Sequence, residues 1–252
     1  MAEIPRAYVD RFTQAINQLS EESRRMLAEE LATVDMTQDV AAIREQTIAI
    51  MQKWCGGTTD MVAVLAAEFY SGLRMLETGE ASVPLAISGR VPEATDESVR
   101  AFAQKLVDGE PQEFIDMCLS RLDYETRVAA SNTVIENGRR DGRKPKYARV
   151  PTGAETCDYC LMLASRGYVY ATQVGASHTH AGCDCRVVPS WGGATVEGYD
   201  PDEIYDRWQE AIDAKAKERA ERHGTTEAEE RQKIMDTYKR SAANAKARRK
   251  KS

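Results

Sequence analysis

Six side chains that can bind a metal ion lie within 29 residues of this sequence. They are Cys157, Cys160, His178, His180, Cys183 and Cys185. Two thiols at Cys-x-x-Cys spacing can reach one ion from a tight turn, and a second pair from a distant loop can complete a tetrahedron. Thiolate and imidazole favour zinc, and a complete set of four ligands favours a structural site. All of these residues except His178, which is a weaker candidate, compete for the four ligand positions. The spacing leaves the choice between Cys183 and Cys185 open, with a weak preference for Cys185.

Other chemistries for this cluster have less support in the sequence. The thiols could be structural without a metal, or they could form disulfides, but disulfides require an oxidising compartment and residues 1–5 do not resemble a secretory signal. A redox Cys-x-x-Cys is expected between a strand and a helix of a parallel sheet, and a zinc deaminase needs an upstream His-x-Glu motif; neither context occurs. A nucleophile made of Cys157 or Cys160 with His178 or His180 stays open. Several thiols crowded together favour metal binding over a single nucleophile.

The rest of the sequence carries no enzyme signature. Walker, Gly-x-Gly-x-x-Gly, Gly-x-Ser-x-Gly and His-Glu-x-x-His motifs are all missing. We therefore predict no catalytic residues, no small-molecule substrate and no cofactor other than structural zinc. Cys55 and Cys118 fall within predicted helices and are expected to be small buried hydrophobes. His223 lies near a predicted helix end, where we expect a surface residue.

The elements that must position the cluster are mostly helical. Apolar residues recur at spacings of three and four over much of the chain, which is typical of amphipathic helices. Helix starts are predicted at Pro5, Thr37, Thr59, Thr95, Pro111 and Asp200. The first helix is expected to restart at Ser20, the second to end at Gly56-Gly57, and the one that starts at Pro111 to end at Gly138. Residues 79–94 form a predicted connector, and runs at 168–170 and 186–188 predict short strands. The predicted fold class is mainly α, with some β (α+β).

This pattern divides the chain into three predicted domains. Residues 1–107 form an N-terminal helical region, residues 108–198 form a core with the zinc-stapled Cys/His module and short strands, and residues 199–252 form a charged helical tail. The apolar runs are far shorter than the ~20 residues of a membrane helix, so we expect no membrane contact and synthesis in the cytosol.

Charge is distributed unevenly along the chain. The net charge is −6, but residues 239–252 carry seven basic residues and no acidic residue, so everything before them sums to −13. A second basic segment at 139–149 contains six basic residues against Asp141 alone. Such segments favour contact with nucleic acid or an acidic protein surface, although a solvated loop and a solubilising tail explain them equally well. We expect residues 199–238 to project as a helix and to carry the basic end on an arm.

The sequence resembles the phage Mu F-like minor head protein family in a series of motifs. They are Arg127–Gly138, the basic segment after it, Cys157–Cys160, His180–Cys185 and Pro189. Members from phages of actinobacteria are similar over Val150–Gly167. The resemblance covers residues 110–190. It departs from the family at Ala181, where a proline usually follows the histidine, and this change loosens the turn without removing a ligand.

The resemblance implies a protein of a tailed phage or prophage, present in few copies in the virion head. It implies association with the portal protein and other head proteins at the portal vertex, in head assembly or DNA delivery, with packaged DNA as a contact of the basic tail. A capsid-maturation protease or other Cys/His hydrolase is one alternative, although the histidines lie in the thiol cluster or in a charged helix and not beside a serine. A zinc-containing nucleic-acid-binding protein is the other, and its weakness is that the basic tail lacks interleaved aromatic residues for stacking on bases.

Overall fold

The computed structural model describes residues 3–153, 156–170 and 184–249. The chain is 69% helical with a few short strands, which confirms the predicted fold class. The helices are α1 (Arg6–Leu31), α2 (Val40–Thr78), α3 (Pro92–Phe102), α4 (Gln104–Val107), α5 (Pro111–Arg140), α6 (Asp158–Ala164), α7 (Pro201–His223) and α8 (Glu227–Arg249). The strands are β1 (Glu3–Ile4), β2 (Lys146–Pro151), β3 (Cys185–Ser190) and β4 (Thr195–Val196). No helix in this described part of the chain combines the length and the apolar character of a membrane span.

The chain divides into two compact units, and the larger one consists of residues 1–152 and 168–199. Its core lies where the apolar faces of α1, α2, α3 and α5 meet. Cys55 and Cys118 are fully buried in this core, as the sequence predicts. Burial raises the pKa of the Cys118 thiol to about 12 and raises that of Cys55 still further, so neither thiol is a nucleophile at neutral pH.

Helix α2 is a single helix of 39 residues, so the break predicted at Gly56-Gly57 is wrong. Neither glycine has a positive φ, and the helix continues until Gly79, where a φ of 70° ends it. The hydroxyl of Thr59 donates to the carbonyl of Cys55 at 2.7 Å, so it bonds within the helix instead of capping a new one. The N-terminal cap is Asp39, whose carboxylate accepts from the Ala42 N–H at 3.0 Å. Packing of α2 against α1 and α5 outweighs the low helix propensity of two glycines.

Helix α1 is also continuous, because Ser20 does not restart it. The Ser20 hydroxyl donates to the carboxylate of Asp123 on α5 at 3.1 Å, and Arg24 donates to the same carboxylate at 2.7 Å. The predicted restart is therefore wrong, since the polar side chain of Ser20 serves a contact between helices. Ser20 is one of the buried residues of α1.

Helix α5 passes through Gly138 and ends at Arg140, so Gly138 is not the predicted helix end. A Cβ atom at Gly138 would lie 1.9 Å from the hydroxyl oxygen of Tyr147, so the glycine permits close packing of β2 on the helix. The basic segment 139–149 is therefore not one loop. Arg149 lies on β2 with no exposed surface, so the prediction that it belongs to a basic loop is wrong.

Two small strand pairs complete the larger unit. Strands β1 and β4 pair in parallel, and β2 pairs antiparallel with β3 so that Pro151 lies opposite Cys185. The predicted strand at 186–188 is confirmed within β3. The one predicted at 168–170 is reduced to an isolated bridge between Tyr170 and Tyr147.

A buried carboxylate, that of Asp141, joins the ends of α2, α5 and β3. It accepts hydrogen bonds from the Tyr70 hydroxyl at 2.8 Å, Arg74 Nε at 2.7 Å and Trp191 Nε1 at 3.0 Å. Burial alone would raise the pKa of Asp141, but the bonds from Arg74, the Arg143 N–H, Tyr70 and Trp191 outweigh it and lower the pKa to about 2. The network stabilises the ionised form of this side chain.

Glu125 on α5 forms a second buried polar network in the larger unit. Its carboxylate accepts from Arg90 Nε at 3.2 Å, Arg121 Nε at 2.7 Å and the Thr95 hydroxyl at 2.6 Å. The network links the start of α3 and the preceding connector to α5. Because two guanidinium groups meet one buried carboxylate, removing its charge would leave both cations without their partner.

The smaller unit consists of residues 153–167 and 200–252 and contains α6, α7 and α8. The carboxylate of Asp200 caps α7 by accepting from the N–H groups of Asp202 at 2.9 Å and Glu203 at 3.3 Å. Helix α7 ends at Gly224, which has a φ of 64°, and α8 then packs back along it. The tail is therefore a pair of helices and not the single helix that the sequence predicted. His223 lies half-exposed in the last turn of α7, which confirms its predicted surface position.

Candidate metal centre

The Cys-x-x-Cys pair lies at the N-terminus of α6. Cys157 is the N-cap residue, and its Sγ accepts a hydrogen bond from the Cys160 N–H at 3.4 Å. Cys157 is exposed and Cys160 is buried.

Helix α6 is held in place by the other helices of its unit. Residues 160–164 are buried as α6 packs against α7. Asp158, in the first turn, accepts from Lys215 Nζ on α7 at 2.9 Å. The position of the Cys-x-x-Cys pair is therefore set by a packed helix and an ion pair.

Cys185 is the first residue of β3 and is buried. Its position follows from the register of β2 and β3, in which Pro151 is its neighbour. The guanidinium of Arg149, fully buried on β2, donates from Nη2 to Cys185 Sγ at 3.0 Å. The position of the Cys185 sulfur is therefore fixed by the strand register and by its contact with Arg149.

The described ligand candidates divide between the two units. Cys157 and Cys160 belong to the smaller unit, and Asp184 and Cys185 belong to the larger one. Thiolates and carboxylates are side chains that bind zinc, and each pair could supply two of the four ligands of a tetrahedral site.

The other predicted ligands have different outcomes. Cys157, Cys160 and Cys185 are described, the first exposed and the other two buried. His178, His180 and Cys183 lie outside the described residues, so their role as ligands stays a prediction. The sequence interpretation treated Asp184 only as the spacer of Cys-x-Cys. A carboxylate inside a Cys-rich motif is the signal that could have identified it, because Asp is itself a zinc ligand.

His223, the one histidine in the described part of the chain, lies 3.5 Å from the carboxylate of Glu230 at the turn between α7 and α8. The nucleophile that the sequence left open, a cysteine with His178 or His180, involves histidines outside the described residues and stays a prediction.

Comparison with known protein families gives one match. The family model described as VG15 protein matches residues 3–211, which includes the helical core, both strand pairs and the Cys-x-x-Cys helix. Neither the search of curated proteins nor that of solved structures finds a match.

Proposed function

The chain belongs to the VG15 protein family, a family of phage proteins, and we propose on this basis that it is a minor head protein of a tailed phage. In this proposal it associates with the portal vertex, in contact with the portal protein and other head proteins, and acts in head assembly or DNA delivery. The observation that carries the proposal is the family match over residues 3–211. The resemblance of residues 110–190 to Mu F-like minor head proteins supports the more specific role.

The architecture suits a scaffold for docking. Helix α2, with 39 residues, is about 58 Å long at 1.5 Å per residue, and α1 and α5 pack beside it. Several large apolar side chains on and after α2 are half-exposed or more, among them Met61, Val64 and Leu76. Exposed apolar side chains on a long helix are available for a protein contact.

We propose a structural role for the metal site and no catalytic activity. Cys157, Cys160, His180 and one of Cys183 and Cys185 would hold zinc, with Asp184 as a competing ligand. When bound, zinc would contribute its binding energy to folding. The Cys-x-x-Cys pair at the start of α6 and the Asp184-Cys185 pair at the start of β3 support this proposal by the chemistry of their side chains.

Head association is tested by following the protein through assembly. The chain would be produced with the portal protein and with the other head proteins of its phage, in the presence and the absence of portal. We expect it to co-sediment with heads that contain portal and to be depleted from heads that lack it. Equal amounts in both, or none in either, would refute a role at the portal vertex.

The metal proposal needs a separate measurement. Protein purified without chelator should contain about one zinc per chain, and Cys160→Ser should reduce this amount severalfold. Cys118→Ser is the matched control, because Cys118 is buried in the helical core away from the cluster. Zinc near zero in the unmodified protein, or equal loss in the two variants, would contradict the proposal.

A further inference from the structure

The smaller unit contains a cleft lined by aromatic and cationic side chains, which we call the aromatic cleft. Its volume is about 420 Å³, and its lining includes Met162, Arg166, Tyr205, Trp208, Tyr238 and Lys239. These residues come from α6 and the turn after it, from α7 and from α8, so the cleft exists only when the three helices are packed together. It contains none of the predicted metal ligands.

Three rings form one contiguous aromatic surface in this cleft. Tyr205 and Trp208 meet edge to face with centroids 5.7 Å apart, and Trp208 meets Tyr238 in the same way at 6.1 Å. Trp208 is largely buried, whereas 47% of the surface of Tyr205 is exposed. Burial raises the pKa of Tyr238 to about 12, so its ring stays neutral at physiological pH. The cleft therefore offers a fixed indole with a more accessible phenol ring at its edge.

Cationic side chains lie beside these rings. Arg166 is exposed and has no ion pair among the described residues, and Lys239 pairs only with Asp236 across 3.6 Å of exposed surface. An exposed pair of this kind costs little to break. Helix α8 then continues to Arg249, and residues 240–252 add six more basic residues without an acidic one.

We propose that the aromatic cleft binds single-stranded nucleic acid. A base would stack on Tyr205 beside Trp208, and the phosphates next to it would contact Arg166 and Lys239. Aromatic faces next to a positive track are the combination that single-strand binding uses, since every base has a face that can stack and every phosphate carries a charge. An acidic protein segment would be attracted by the same charges, but it has no need of an exposed ring between them.

This inference goes beyond the proposed head function and does not depend on it. The sequence of the basic end lacks aromatic residues. The fold supplies aromatic residues from α7 and α8, beside Lys239. The site can therefore be tested with the purified full-length chain alone.

The test is binding of a fluorescein-labelled oligo-dT of 20 nucleotides, measured by fluorescence anisotropy at low and at moderate salt. We expect Tyr205→Ala to raise the Kd at least about fivefold, because stacking on one aromatic ring contributes that much or more. Tyr205→Phe should restore binding, whereas Tyr205→Leu should not, since leucine keeps apolar surface without an aromatic face. Arg166→Gln should weaken binding and reduce its salt dependence.

Arg222→Gln is the matched control. Arg222 is an equally exposed arginine on α7, about 25 Å along the helix from Tyr205, and pairs with Glu218. This variant should change the Kd less than twofold. Three results would overturn the proposal: no binding at low salt, an equal effect of Arg222→Gln and Tyr205→Ala, or duplex binding as tight as single-strand binding and insensitive to Tyr205→Ala. A Tyr205→Ala variant that binds the oligonucleotide normally but loses a head protein would also overturn it, in favour of a protein partner.

Discussion

Replacing Asp141 with asparagine should remove a large part of the stability of the helical unit. The carboxylate is 5% exposed and accepts hydrogen bonds from side chains of α2 and of the segment after β3. An ordinary aspartate has a pKa near 3.9, and the folded protein lowers this value to about 2. At about 1.4 kcal/mol per factor of ten, this difference corresponds to about 2.5 kcal/mol at neutral pH.

The pH dependence distinguishes this electrostatic effect from a simple packing defect. Because the pKa of Asp141 is lower in the folded protein, its contribution is complete above about pH 4 and is lost as the pH falls towards 2. Asp141→Asn should therefore unfold about 5–10 °C below the unmodified protein at pH 7. The two proteins should converge as the pH falls through this range.

The assay is thermal unfolding followed by tryptophan fluorescence, since Trp191 donates to the Asp141 carboxylate. Asp123→Asn is the matched control. Asp123 lies on α5 and also pairs with an arginine, but it is more exposed, and we expect a loss of at most about 1 kcal/mol. Equal losses in the two variants, or a deficit of Asp141→Asn that is undiminished at pH 2, would refute this account of the network.

Three further substitutions test other parts of the structure. Gly138→Ala should lower the free energy of unfolding by about 1–3 kcal/mol, because the new methyl group collides with Tyr147, which packs on the helix. Gly57→Ala lies in an open part of α2 and should raise the free energy of unfolding by up to about 1 kcal/mol. Urea titration measures both values. Glu125→Gln should cost about 3–5 kcal/mol in the same assay, because it leaves two arginines near a neutral partner. Cys185→Ser should lower the zinc content of protein purified without chelator, and Cys118→Ser should leave it unchanged; retention of zinc by both would assign the ligand to Cys183 or another residue.

Helical periodicity identified most of the long elements, but the role of each glycine depended on distant residues. Gly56-Gly57 and Gly138 were all interpreted as helix ends, and α2 and α5 continue through them. At Gly138 the deciding contact is with Tyr147, which follows the helix and packs back onto it. A local rule for helix ends cannot include a neighbour that only the folded chain supplies.

The candidate metal site was predictable to the extent that its spacing is local. Cys-x-x-Cys predicted a tight turn, and Cys157 and Cys160 are joined by a hydrogen bond at the start of α6. Asp184 as a possible ligand and the contact of Arg149 with Cys185 were missed, because Asp184 was interpreted as a spacer and Arg149 as part of a basic loop. The predicted roles of His180 and Cys183, and the division into three domains, stay predictions.

The small size of the second unit gives the thiol pair a role in stability as well as in metal binding. This unit has fewer than 70 residues, and α7 and α8 are rich in charged side chains, so its core relies on a few large apolar residues such as Trp208 and Ile212. Units of this size bury too little apolar surface to be strongly stable and usually need a metal, a disulfide or a partner. Cys157 and Cys160 lie on the helix that closes this core against α7, where a bound ion would restrain the helix at its start. Because the aromatic cleft is built from the same three helices, loss of the metal should loosen the cleft before it affects the larger helical unit.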